Sequence, residues 1–97
     1  AMGKRKPLHG PVTGFIQYDM PMPKSWNAAK REAMEGHGHI SKPDMTNLRK
    51  LVEDALSGIV YNDDMEIACY AAESKQWAIK GQTVIEYWER NERHDEN

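Results

Sequence analysis

Residues 12 to 20 alternate: Val12, Gly14, Ile16, Tyr18 and Met20 fall on one side and Thr13, Phe15, Gln17 and Asp19 on the other, the two-residue period of a strand. Pro21 and Pro23 end it. The period then changes to that of a helix. Ser25 stands as an N-cap before Trp26 to Glu35, where Trp26, Ala29, Ala33 and Met34 share one side. A polar loop, Gly36 to Ser41, follows. Leu48, Leu51, Val52, Ala55 and Leu56 recur at i, i+3, i+4, i+7 and i+8, so a second helix runs from a cap at Asp44 or Thr46 to a stop at Gly58. Glu66 to Ala72 and Gln82 to Trp88 read as two strands, with Lys80-Gly81 supplying a turn between them. The pattern predicts a single α+β domain over residues 1–97, a small antiparallel or mixed sheet packed against a central helix. Residues 1–11 are expected to be a flexible basic arm and 89–97 an acidic tail.

Composition narrows the class. With 39% hydrophobic residues, three Trp and four Tyr in 97 residues, the chain can build one modest core. No apolar run approaches the roughly 20 residues that cross a bilayer, and no secretory signal is visible, so a cytoplasmic protein is expected. Cys69 is the single cysteine, which excludes an intrachain disulfide; its place in an apolar strand predicts core packing. Trp77, Tyr87 and Trp88 are expected in the core or between subunits. His37 and His39, with His9, His94 and Cys69, lack the spacing of a zinc site, and no glycine-rich phosphate loop supports a nucleotide cofactor.

Net charge is −2, but its distribution is lopsided: up to Lys50 nine bases stand against four acids, and after it four bases against eleven acids. Phosphate neutralisation is local, so a basic half can bind DNA within an acidic whole; the same lysines and arginines also serve as ordinary solubilising surface.

The chemistry concentrates around the second helix. One acidic cluster ends at Asp44 and another is Asn62-Asp63-Asp64. Carboxylates brought together hold Mg²⁺ or Mn²⁺, and a lysine one turn along, such as Lys50, steadies charge building on a phosphate. A helix of about 12 residues is about 18 Å long, so only a chain reversal after Gly58 returns Asp64 towards Asp44. The same residues have plain structural uses: Asp44 as a cap, Lys50 and Asp54 as an i, i+4 pair, Asp63 and Asp64 as turn residues. Spacing alone leaves both open.

The string KPDMTNLRKLVEDALSGIVYNDDMEI, Lys42 to Ile67, resembles the core motif of the RusA-like Holliday junction resolvases, whose pattern runs KPDxDNLxKxxxDALxGxxxxDD. Upstream, GPVTGFIQYDMPMPKSW is similar to the family's second strand and the loop after it. The resemblance implies a small homodimer, bacterial or phage-encoded, that binds four-way DNA junctions and nicks opposing strands with Mg²⁺ or Mn²⁺. By it Asp44 matches the first metal-binding aspartate, Lys50 the catalytic lysine, and Asp64, with Asp63 beside it, the distal acidic pair. Lys24, Lys30, Arg31, Lys42 and Arg49 are the expected phosphate contacts.

Two departures stand out. Thr46 occupies the place of the family's second aspartate and offers a neutral hydroxyl; Glu53, Asp54 or Asp63 would have to compensate. Only Ala1 to Pro11 precede the first strand, short for the family; Ala1-Met2 reads as a scar of expression, and a missing strand would leave a sheet edge for a partner to cover. Two other readings therefore stand beside the nuclease: a catalytically weakened protein that binds junctions without cutting, and a truncated dimerising remnant with no DNA role.

Overall fold

Alternation makes a strand where it is strongest. Val12–Pro21 forms β1, the centre of a three-stranded sheet, with β2 (Ile67–Ala78) parallel on one side and β3 (Gln82–Glu89) antiparallel on the other. Two helices, α1 (Ala28–Met34) and α2 (Met45–Leu56), lie between β1 and β2 in the chain. The computed structural model describes residues 6–90, so most of the expected basic arm's charge and most of the acidic tail lie outside the described residues.

The sheet is mixed because the last two strands are not partners. Lys80-Gly81 does reverse the chain, but β1 lies between β2 and β3, with Pro21 opposite Ala78 and Asp19 opposite Gln82. Two strand spacings are about 9.6 Å. Four steps of extended chain from Ala78 to Gln82 reach about 13 Å, enough to cross. The crossing passes tightly over the end of β1, where a Cβ on Gly81 would stand 3.0 Å from Cδ of Pro21. A glycine in the crossing and a proline ending the strand beneath it belong together.

Strand β2 continues well past Ala72, through Glu73-Ser74-Lys75-Gln76. This polar stretch hides the strand in the sequence, yet its charged residues are satisfied inside the fold. Glu73 meets Tyr18 and Arg49, and Lys75 meets two loop carbonyls. The first helix is shorter than its pattern: Ser25-Trp26 belongs to a turn, with Trp26 N–H bonded to the Pro23 carbonyl, and Asn27 is the cap, accepting from the Lys30 amide at 2.8 Å. None of its side chains is buried; Trp26, just outside it, leans on Trp77 with ring centroids 4.8 Å apart.

The chain from Leu8 onward is pinned rather than loose. Leu8 N–H donates to the Val60 carbonyl at 2.7 Å, His9 N–H to Glu89 Oε2 at 2.8 Å, and Arg90 N–H to the Pro11 carbonyl at 2.8 Å. Cys69, expected in the core, is exposed: it pairs with Thr13 on β1, on the sheet face opposite the one that meets α2. No helix among the described residues is long and apolar enough to cross a membrane.

The core is Val12, Ile16, Tyr18, Met22, Tyr61 and Ala78. At its edge Gly14 lies under two aromatic rings, where an added Cβ would stand 2.5 Å from Tyr87 Cε1 and 2.6 Å from Tyr70 Cε1. Those rings cannot swing aside freely, because their hydroxyls are bonded to each other at 2.9 Å and Tyr70 is bonded onward to Glu53. Gly14→Ala is therefore expected to destabilise the fold by about 1–3 kcal/mol, the cost of overpacking, measured as a lowered urea midpoint.

Candidate active site

Helix α2 starts where Asp44, in extended conformation, accepts the Asn47 amide at 3.0 Å, so of the two candidate caps Asp44 is the one used and Thr46 lies inside the first turn. Its half-buried stripe is Met45, Leu48, Arg49, Val52, Glu53 and Leu56. Leu51, counted with the apolar face in the sequence, is 68% exposed. The helix is rotated because Arg49 and Glu53 make their bonds on the sheet side. Arg49 donates to Glu73 Oε1 at 2.7 Å, and Glu73 Oε2 accepts from the Tyr18 hydroxyl at 2.9 Å. Glu53 Oε2 accepts from Tyr70 at 2.6 Å, and its carbonyl accepts from the Tyr61 hydroxyl at 3.1 Å. Glu73 beside it holds the Arg49 guanidinium even more firmly protonated; burial, with the bond to Glu53, raises the Tyr70 hydroxyl, which stays a donor.

Past the helix, Gly58 takes φ +82° and its amide donates to the Tyr61 carbonyl at 2.6 Å, reversing the chain. Asp63 then caps a short 3₁₀ turn, Asp64–Glu66, by accepting the Met65 amide at 2.9 Å. The reversal delivers Asp64 to the middle of α2 rather than to its head. Thr46, Arg49, Lys50, Glu53, Asp54 and Asp64 line one open cleft of 340 Å³, and Asp44 stands at the helix end outside that lining. Asp64 titrates above the usual carboxylate value of 3.8, first through a hydrogen bond with Asp63, then through lost hydration and the negative charges of Asp63, Glu53 and Asp54. Sequence spacing pointed to Asp64 and Lys50; that Glu53 joins them depends on the Tyr70 bond, which no local pattern signals.

Among the described residues no group of three or more His, Cys, Asp or Glu is arranged to hold a metal ion. The donors in the cleft are nevertheless hard oxygens. Mg²⁺ characteristically takes one or two carboxylates, keeps waters and completes its shell with substrate phosphate, and this set suits that mode better than a closed protein cage.

The expected phosphate contacts divide. Lys50 is exposed in the cleft and makes no ion pair or hydrogen bond among the described residues. Lys24 and Lys42 are exposed. Lys30 sits over the Trp26 ring at 4.4 Å, Arg31 binds the Trp26 and Pro23 carbonyls at 3.0 Å each, and Arg49 is held by Glu73.

The segment that leads to Asp44 is held against the outer edge of β2. Gly36 N–H donates to Trp77 O, Trp77 N–H to His37 O, and His39 N–H to Lys75 O, at 2.8 to 2.9 Å. What reads as a polar loop thus covers part of an open sheet edge. His39 is buried, its ring tilted against Trp77 with centroids 4.3 Å apart, and its Nδ1 lacks a partner. Lys75, which the sequence did not single out, donates from Nζ to the Ser41 and Pro43 carbonyls at 2.6 Å each.

A carboxylate-lined cleft with a free ammonium suits a divalent cation and a phosphate, and comparison with known proteins gives the family of the chain. The profile of the family described as Endodeoxyribonuclease RusA matches residues 1–87 of the 97-residue chain, which belongs to that family. The chain is also similar to the uncharacterized protein YqaN of Bacillus subtilis, 34% identical over 64 residues, a match covering 62% of this chain and 45% of YqaN. It spans less than half the length of that relative. No solved structure matches it.

Burial, and secondarily Lys75, lowers the His39 pKa below its ordinary 6.5. The unfolded chain therefore takes up this proton first as pH falls, so stability is full above 6.5 and declines as pH drops below it towards the folded value. His39→Phe, which keeps a ring on Trp77, is expected to flatten that decline in urea midpoints measured across the acid range; an unchanged slope would refute it.

Proposed function

We propose that the chain is a divalent-metal-dependent endonuclease that nicks branched DNA, a Holliday junction resolvase acting in recombination or repair. The observation that carries this reading is the shared cleft of Thr46, Lys50, Glu53, Asp54 and Asp64 in a chain of the RusA family. Mg²⁺ or Mn²⁺ would be held in the cleft by Asp64, with Asp54 and Thr46 as further donors, and would supply a more acidic bound water and neutralisation of phosphate charge. Asp44, at the helix head outside the cleft lining, and Asp63, which caps the 3₁₀ turn, are the family-pattern donors that would approach it from the margins.

The chain's own residues do the rest. Lys50, unpaired in the cleft, is placed to meet phosphate oxygen as negative charge grows there. Lys24 and Lys42, both exposed, meet the DNA backbone and orient it without reading sequence. Arg31 and Arg49 shape the surface through their internal bonds, and Lys30 adds charge beside Trp26. Paired nicks across a two-fold junction need two sites related by the same symmetry, so a homodimer is part of the proposal, in the cytoplasm of a bacterium or of a phage-infected cell. Leu51 and Ile59, 68% and 67% exposed, are apolar surface that a second copy would cover.

A second reading follows from one residue. Thr46 lines the cleft where the family pattern carries an aspartate, and a hydroxyl without charge holds a hard cation less well. On that reading the protein binds junctions and cuts them slowly or not at all.

The test is nicking of a labelled four-way junction with Mg²⁺ or Mn²⁺. Wild type is expected to cut, Asp64→Asn to abolish cutting, and Lys50→Ala to slow it roughly 100-fold, the usual effect of losing a group that stabilises transition-state charge. Junction binding without cutting, rescued by Thr46→Asp, would establish the second reading. Cutting that survives Asp64→Asn would sink the site assignment.

A further inference from the structure

Lys75 lies on β2, outside the cleft, yet it contacts the segment before Asp44 at two levels. Its carbonyl accepts the His39 amide at 2.9 Å, and its ammonium donates to the Ser41 and Pro43 carbonyls at 2.6 Å each. One residue therefore holds both ends of the stretch from 39 to 43. The next residue is Asp44, whose Oδ1 caps α2 through the Asn47 amide. We propose that Lys75 is a positioning residue for Asp44: it fixes the Ser41–Lys42 and Pro43–Asp44 peptide planes and so sets the direction in which Asp44 is presented at the head of α2.

The geometry supports this over two simpler roles. A lysine held only for solubility would keep its ammonium in water. Lys75 is half-buried and directs two short charge-assisted bonds at carbonyls two residues apart. A lysine kept as a phosphate contact would stand free, as Lys50 does. Two of the three ammonium hydrogens of Lys75 are already engaged within the protein. The anchor beneath the segment is firm as well: His39 is buried against Trp77, and Trp77 packs in turn, at a tilt, against Trp26. Movement of residues 41–43 is therefore restrained by bonds to Lys75 at one end and by packing at the other. The functional consequence rests on the nuclease reading; the structural claim about Asp44 does not.

The test compares Lys75→Met, which keeps the length and removes the donors, with Lys75→Arg, which restores them. Hydrogen exchange at the Asn47 amide reports the Asp44 cap directly, and the Lys30 amide, capped by Asn27, serves as the control. Lys75→Met is expected to speed Asn47 exchange about tenfold, the scale of one lost charge-assisted hydrogen bond, and to leave Lys30 unchanged. In the nicking assay it should lower the rate at saturating junction about tenfold while junction affinity stays within about twofold, since positioning acts in the transition state rather than in binding. Lys75→Arg should recover both readouts.

Unchanged Asn47 exchange in Lys75→Met would overturn the proposal. So would a loss of junction affinity with the saturated rate intact, which would make Lys75 a phosphate contact. If Lys75→Met does not fold, Lys75→Gln, with an uncharged amide donor at shorter reach, enters the same comparison. Should the wild type cut no junction, the nuclease reading fails, and Asn47 exchange still decides whether Lys75 holds Asp44.

Discussion

Helix α2 buries none of its side chains, so hydrophobic packing alone does not seat it on the sheet. Two carboxylates carry much of that task. Glu73 on β2 receives both Arg49 from the helix and Tyr18 from the central strand, and Glu53 on the helix receives Tyr70 from β2. Bonds to a charged acceptor, shielded by neighbouring rings, contribute more than exposed surface pairs do. They also fix rotation about the helix axis, which a greasy contact would leave loose. Because Arg49 and Glu53 must face the sheet, Leu51 faces solvent and Thr46, Lys50 and Asp54 turn to the cleft.

That rotation has an electrostatic consequence. The reversal at Gly58 brings Asp64 against a helix face that already carries Glu53 and Asp54, and Asp63 adds a fourth carboxylate. Asp64 is harder to ionise than a free aspartate, first because of its hydrogen bond with Asp63 and lost hydration, and then because of the negative charges gathered there. Concentrated unfavourable charge in an open cleft is a pattern of functional sites, kept at the expense of stability. Lys50 stands in the same cleft without an ion-pair partner among the described residues.

Polar contacts govern the periphery in the same way. The HGH segment completes backbone bonds along β2 while His39 and the two tryptophans pack beneath it, so an edge that would otherwise invite pairing is partly covered from within the chain. The tight passage of Gly81 over Pro21 lets three sequential elements form a sheet whose last two strands are separated by the first.

The sequence by itself determined the central strand, the span of α2 and the stop at Gly58, because each depends on local periodicity or a glycine; it narrowed the cap to Asp44 or Thr46 and pointed to Lys50 and Asp64. The ordered run from Lys42 to Ile67 also carried the family, which the match over residues 1–87 bears out. Only the tertiary structure decided that β2 and β3 flank β1, that Glu73 and Lys75 continue a strand, that Cys69 stays exposed, and that Asp64 meets the middle of α2 beside Glu53. The reason is distance along the chain: β1 pairs with strands more than 50 residues away, Tyr70 holds Glu53, Arg49 holds Glu73 and the Ser41 and Pro43 carbonyls hold Lys75, and no window of neighbouring residues contains both members of such a pair.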